Sequence, residues 1–235
     1  MSTLSHPPSL LLGTHNAGKV REIETILRDV RWRLRSLREF EEVGVAAENA
    51  PTYAENAILK AQFYARETGI HTLADDSGLE VAALGGAPGV LSARYAGEGA
   101  SDADRRALLL SELARVENES SRLEAAKAAV ADRNAAVHSS NRRARFVCVV
   151  AIATPDGTVL NTSEGMCEGK IIFDERGRNG FGYDPLFVPD GFEETFAELS
   201  DSIKNQISHR ARALLKTRQF LTSNQALLDQ QTSGS

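Results

Sequence analysis

The sequence predicts an α/β fold, and three observations carry that prediction. Ser9-Leu10-Leu11-Leu12 is a short apolar run closed by Gly13. After the loop Thr14-His15-Asn16-Ala17-Gly18-Lys19, residues Val20, Ile23, Ile26, Leu27 and Val30 recur at helical spacing, which reads as strand, loop, helix. Phe146 to Ala153 is a longer apolar run that ends in Thr154-Pro155-Asp156-Gly157, with Val159 to Thr162 beyond it. That reads as a buried central strand, a turn and the return strand of a hairpin. Helical patterns opening at Thr52, Ser101 and Asp201 stand between and after the strands, so helices are available to cover a sheet.

The chain has 235 residues, 42% hydrophobic and 25% charged, which fits one soluble domain with a sizeable core. A net charge of −5 excludes a global electrostatic pull on nucleic acid or anionic membranes, so any anion must be met by a local cationic cluster. The two cysteines, Cys148 and Cys167, form no metal-ligand spacing, and Cys148 sits in an apolar strand as a core thiol. The N-terminus lacks a basic region followed by a long apolar one, so no signal peptide is expected. The longest apolar run, Phe146 to Ala153, is too short to span a bilayer, and the expected location is cytoplasmic.

In chain order, the first helix starts just after Asn16, a natural cap, and its free N–H groups and partial positive charge favour phosphate. Lys19 adds a full charge there. Gly13-x-x-x-x-Gly18-Lys19 matches most of a P-loop, but Val20 stands where Ser or Thr would hold Mg²⁺. Arg31 to Arg38 alternates arginines with Trp32, Leu34 and Ser36, as an edge strand with one wet face would. A loop over 41–50 contains Glu48. Thr52-x-x-Glu55 opens a second helix as a capping box, Gly69 closes it, and Lys60 reads as a surface residue on it.

Leu73-Ala74-Asp75-Asp76-Ser77-Gly78-Leu79-Glu80 reads as a strand, a sharp turn at Gly78 and a second strand. Neighbouring side chains on an extended backbone face opposite ways, so Asp75 and Asp76 have separate jobs, and two acids at a strand end suit a hard cation. Leu84-Gly85-Gly86-Ala87-Pro88-Gly89 imposes an unusual backbone path. Ser101-x-x-Asp104 starts a third helix with Leu108, Leu109 and Leu113. Residues 117–143 form a polar, helix-prone insertion, and Glu168 to Phe173 another short strand. Asn179-Gly180-Phe181-Gly182-Tyr183-Asp184-Pro185 is a glycine-aromatic loop where backbone can approach a ligand and a base can stack. Phe187-Val188 is a strand. One final helix runs from about Asp201 to Leu221, with Ile203, Ile207, Ala211, Leu214 and Leu215 on its buried face and Lys204, His209 and Arg210 as donors for a carbonyl-rich base and phosphate. The expected domain is 1–223, with a polar tail over 224–235.

A phosphate loop with lysine, paired acids, a glycine-aromatic loop and a cationic Ser-His-Arg together describe a nucleotide site with a metal. Six segments match one family in order: Thr14 to Lys19, Tyr53-Ala54-Glu55-Asn56-Ala57, Ala74 to Val81, Leu84 to Gly89 with Ser92-Ala93-Arg94-Tyr95, Phe181 to Pro185, and Ser208-His209-Arg210. They cover nearly the whole chain. On them the sequence resembles the inosine triphosphate pyrophosphatase family. The resemblance implies Mg²⁺-dependent hydrolysis of non-standard purine nucleoside triphosphates (dITP, ITP, XTP, dXTP) to monophosphate and pyrophosphate. It implies an elongated curved mixed β-sheet flanked by helices, two lobes with an active-site cleft between them, and a homodimer. It further implies that Thr14, His15, Asn16, Ala17, Gly18 and Lys19 hold phosphates and that Asp76 is the proton acceptor and a metal ligand. Glu48 is then the second metal ligand, Lys19 assists catalysis, and Ser77, Phe181, Gly182, Tyr183, Asp184, Lys204, His209 and Arg210 contact substrate.

Two features depart from the family pattern. Asn179 stands where a further glycine is expected, and 117–143 is longer than usual. Three rival readings remain: an NTPase releasing the γ-phosphate, against which Val20 argues; a non-catalytic purine nucleotide sensor or binding module, against which the acids argue; and a nucleic-acid binder built on Arg31 to Arg38, against which the overall charge argues.

Overall fold

The computed structural model describes residues 7–128 and 142–224, with 123–128 described by backbone alone. Among the described residues six strands form one sheet in the order β2-β1-β3-β4-β5-β6. These are β1 (Ser9–Leu12), β2 (Arg33–Ser36), β3 (His71–Val81), β4 (Arg143–Ala153), β5 (Val159–Ile171) and β6 (Phe187–Pro189). β1 pairs in parallel with β2 and with β3, whereas β5 and β6 are antiparallel, so the sheet is mixed. The helices are α1 (Ala17–Leu27), α2 (Tyr53–Thr68), α3 (Asp102–Ala128), α4 (Asp201–Ile207) and α5 (His209–Ser223). The α/β class and the edge position of the arginine strand β2 are as expected. Among the described residues no helix is long and apolar enough to cross a membrane.

The described chain divides into two compact units. Residues up to Ser77, Val147–Met166 and the stretch from Ser202 form the first; Gly78 to Phe146 and Cys167–Asp201 form the second. In the first unit β1 is covered on both faces, which is why its sequence is a continuous apolar run rather than an alternation. Leu10 and Leu12 join Ile23, Ile26 and Leu27 of α1 and Ala211, Ala213, Leu214 and Leu221 of α5, while Leu11 packs with Leu37, Ala46 and Tyr64 on the other side. In the second unit Phe146, Phe187 and Phe196 cluster, with ring centroids 4.8 to 6.0 Å apart. Leu109 and Leu113 of α3 are fully buried.

Three expectations are corrected. β3 runs unbroken from His71 to Val81, with no turn at Gly78. Asp-Asp-Ser-Gly is turn chemistry when its side chains bond their own backbone; here both carboxylates bond other elements, and the strand continues. β5 is likewise one strand through Gly165, not two short ones. A Cβ on Gly165 would lie 2.2 Å from the His209 carbonyl oxygen and 2.5 Å from the Ala213 nitrogen. The glycine therefore marks a close approach to α5 rather than a strand end. Finally, the last helix is two helices. Ser208 is extended (φ −67°, ψ 159°) and its hydroxyl accepts from the Ala211 N–H, so it caps α5. The break changes the buried face. Ile203 and Leu215 are exposed, and Lys204, Ser208, His209 and Arg210 are buried instead.

Other punctuation is as read. Asn16 caps α1, Gly69 ends α2 in the left-handed conformation, and Ser101 and Asp104 exchange capping bonds at the start of α3. The polar insertion begins as the end of α3; residues 129–141 lie outside the described residues, and Arg143 already belongs to β4. The tail beyond 224 also lies outside them.

Candidate active site

The site is built in the first unit on β3 up to Ser77, α1, α2, α4 and α5. An extended strand sends successive side chains to opposite faces, and Asp75 and Asp76 do separate in this way. Asp75 faces the α1–α5 side. Its Oδ2 lies 3.0 Å from Lys19 Nζ and accepts from Arg210 Nε at 3.2 Å. Ser77, two residues on and therefore on the same face, accepts from Arg210 Nη2 at 2.8 Å. Arg210 Nη1 reaches Glu22 Oε2 at 2.5 Å, and Lys204 Nζ meets the other Glu22 oxygen at 2.9 Å. Lys19, Asp75, Arg210, Glu22 and Lys204 thus alternate in sign through the interior.

Asp76 faces α2. Its Oδ2 accepts from Asn56 Nδ2 at 3.1 Å, and its Oδ1 lies 3.4 Å from Lys60 Nζ. The same ammonium sits 3.0 Å from Glu48 Oε1. Glu48 and Asp76, expected as a pair, are therefore brought together on one cation. Lys60 is not the surface residue that its spacing suggested. It is 6% exposed, and three carboxylates hold its pKa up against burial.

The two adjacent acids are pushed in opposite directions. Burial opposes ionisation of Asp75, but Lys19, Arg210 and Lys60 overcome it and hold the carboxyl far below its usual range. At Asp76 burial prevails over Lys60 and Lys19, with Glu48 adding like-charge repulsion, and the pKa is raised. A pair of carboxyls with environments that separate their pKa values divides into a fixed charge and a proton acceptor. Asp75 is the fixed charge; Asp76 suits general-base work. Burial, seconded by Arg210 and Lys204, lowers the His209 pKa well below its ordinary value, so the imidazole is neutral. Burial also pushes the Cys148 thiol up, consistent with an inert core residue.

The loop before α1 is tied by its own side chains. Thr14 Oγ1 accepts from the Asn16 N–H, and Asn16 Oδ1 accepts from the N–H groups of Gly18 and Lys19. His15 and Asn16 are exposed, so the positive end of α1 opens to solvent. Gly13 stands in a crowded place: a Cβ there would lie 3.0 Å from side-chain carbons of both Thr72 and Tyr64. Phe181, Gly182, Tyr183 and Asp184 belong to the second unit. There Asp184 accepts from the Phe181 N–H, Asp102 from the Gly182 N–H, and the Tyr183 hydroxyl donates to the Ser92 carbonyl.

Sequence reasoning missed Glu22, Asn56 and Lys60 as members of the site. A signal for two of them was present. The buried stripe of α2 is Tyr53, Asn56, Ala57, Lys60, Ala61, Tyr64, and polar residues inside an apolar stripe need partners.

Among the described residues no three His, Cys, Asp or Glu side chains stand together as a metal cage. Glu48 and Asp76 nonetheless fit Mg²⁺. They are hard oxygen donors already bridged by a cation, and Mg²⁺ usually takes only one or two carboxylates beside waters and substrate phosphates.

A protein-family model described as the Ham1 family matches residues 10–139 and 124–220. The chain belongs to the Ham1 family. It is 47% identical to a dITP/XTP pyrophosphatase of Desulfotalea psychrophila, over 88% of this chain and 82% of that one. It is 44% identical to one of Desulforamulus reducens, over 90% and 94%. Among solved structures, a HAM1 protein from Coxiella burnetii superposes with a TM-score of 0.76 at 38% identity, covering 92% of this chain and 99% of that one. The Ham1 frame thus spans both units of the fold.

Proposed function

We propose that this protein hydrolyses non-standard purine nucleoside triphosphates, dITP, ITP, XTP and dXTP, to the monophosphate and pyrophosphate, and so cleanses the nucleotide pool. The observation that carries the reading is the division of labour at β3, where Asp75 is a locked charge and Asp76 a buried carboxyl of raised pKa beside Glu48. The Ham1 relatives named dITP/XTP pyrophosphatase supply the reaction class.

Water attacks the α-phosphorus, the α–β anhydride bond breaks, pyrophosphate leaves, and Asp76 accepts the proton of the water. Lys19, at the positive end of α1, offsets charge on the phosphates together with residues 14–18. Glu48 and Asp76 would hold Mg²⁺, which when bound neutralises phosphate oxygens and positions them. His209, neutral, and Arg210 are the proposed donors to the 6-oxo group, with Ser77 and Lys204 beside them; adenine would set an amino group against those donors and leave it unpaired. For Phe181, Gly182, Tyr183 and Asp184 the proposed contact with substrate rests on the motif alone. The protein acts as a cytoplasmic homodimer, with no nucleic-acid or membrane partner.

The test is a panel of ITP, dITP, XTP, ATP and GTP with Mg²⁺, read as pyrophosphate and orthophosphate. Pyrophosphate release from the 6-oxo substrates lacking a 2-amino group, lost in Asp76→Asn, is the expected result. Orthophosphate as the first product, or tight binding of ITP without turnover, would refute it.

A further inference from the structure

We infer that Asn56 is a positioning residue that locks the Glu48-bearing loop to Asp76, setting the spacing of the two carboxylates; the inference rests on the hydrolytic reading above. Asn56 lies in the first turn of α2 and is 1% exposed. Its side-chain amide bonds Ala50 at two points. Oδ1 accepts from the Ala50 N–H at 2.9 Å, and Nδ2 donates to the Ala50 carbonyl at 3.2 Å. The second hydrogen of Nδ2 goes to Asp76 Oδ2 at 3.1 Å. One amide therefore grips the backbone two residues after Glu48 and the carboxylate of Asp76.

Only one amide orientation serves this arrangement. A flipped Asn56 would set its NH₂ against the Ala50 N–H and its oxygen against both the Ala50 carbonyl and the Asp76 carboxylate. Lys60, one turn later on the same buried stripe, holds the other Asp76 oxygen and Glu48. The two residues differ in what they fix. Lys60 supplies charge on a flexible stem, whereas Asn56 fixes a direction through a short, two-point grip on backbone. Asn56 does not touch the reacting atoms in this scheme; it acts through Asp76 and the 48–50 loop.

The experiment compares wild type, Asn56→Asp and Asn56→Ser on ITP with Mg²⁺, with kcat counted per folded molecule. Asn56→Asp is isosteric, keeps the acceptor for the Ala50 N–H, and replaces both donations by oxygen-to-oxygen repulsion. Asn56→Ser removes the grip without adding charge and serves where Asn56→Asp does not fold. A hydrogen bond to a charged group is worth a factor of about ten to a hundred, so kcat should fall about that much, with Asn56→Asp the worse, while KM for ITP stays within about threefold. The rise in Tm that Mg²⁺ gives the wild type should shrink in both variants. Wild-type kcat and an unchanged Mg²⁺ response in the folded variants would overturn the inference, as would a fall in KM-determined binding alone. A wild type that releases no pyrophosphate from ITP would instead overturn the hydrolytic reading.

Discussion

The neighbouring acids of β3 should give opposite phenotypes when each is replaced by Asn. Asp75 has a fully buried side chain between Lys19, 15% exposed, and Arg210, 2% exposed. Asp75→Asn keeps the shape and removes the charge that faces the buried Arg210, whose Nη1 still meets Glu22. Removing one member of a buried ion pair costs about 3–5 kcal/mol, and because Lys19 can turn partly to solvent the low end, about 3 kcal/mol, applies. For a chain of this size about 1 kcal/mol lowers Tm by roughly 2–4 °C, so Asp75→Asn should melt roughly 6–12 °C below wild type. Asp76→Asn keeps the shape and leaves the Lys60 ammonium 3.0 Å from Glu48, so at neutral pH it should lower Tm less than Asp75→Asn does while hydrolysis is lost. The pH dependence follows the same division. The folded pKa of Asp75 is depressed, so its stabilisation is present above the unfolded value of about 3.9 and is lost as pH falls through the folded one. The folded pKa of Asp76 is raised, so its ionisation weakens the fold as pH rises past the unfolded value. Calorimetric melting at neutral and acid pH, beside a pyrophosphate assay, reads both. If Asp75→Asn melts with the wild type, or Asp76→Asn loses as much stability as Asp75→Asn, the division into fixed charge and proton acceptor is wrong.

Two further outcomes follow from the first unit. His209 is held neutral when folded, so the unfolded chain takes up its proton first, and stability should fall below pH about 6.5 with a slope approaching ~1.4 kcal/mol per pH unit. His209→Leu should flatten that slope, leaving the part due to buried His71, and should narrow the preference for ITP over ATP; an unaltered preference removes His209 from base recognition. Gly165→Ala would press a methyl group onto the backbone of α5, at 2.2 Å from the His209 carbonyl oxygen. Overpacking costs about 1–3 kcal/mol, and since neither backbone can yield easily the upper end is expected, with loss of activity as His209 and Arg210 shift; a wild-type melting curve for this variant refutes the close approach.

Much of the fold is legible in the sequence because local chemistry and tertiary structure agree. The apolar run Leu10-Leu11-Leu12 could only be a strand covered on both sides, and Asn16, Thr52, Gly69 and Ser101 act as the caps they resemble. Two of the departures fall at glycines. Local rules make glycine a break at Gly78 and Gly165, and in both places the strand runs through. Those rules record that glycine permits a turn; at Gly165 they do not record that α5 has claimed the space a Cβ would fill. Ser208 shows the converse. It stands in a continuous apolar rhythm that carries a helix through it, yet its hydroxyl is free to cap and its backbone leaves the helix.

The site is legible in its acids and only half legible in its cations. The two-residue period of a strand is by itself enough to separate Asp75 from Asp76, and a separation of faces becomes a separation of pKa once partners are in place. Which partners arrive is set by helices distant in sequence: Arg210 reaches Asp75 across 135 positions, and Asn56 reaches Asp76 across 20. Spacing rules cannot specify such pairings, but composition constrains them. A buried carboxyl must meet a cation or a donor, and a lysine or asparagine inside an apolar helical stripe must meet an acceptor. Asn56 and Lys60 on α2 satisfy both requirements at once with Asp76 and Glu48. The polar residues in the α2 stripe are therefore the missing half of the acidic strand, and matching buried polar positions on a helix to acids on a strand joins them from the sequence.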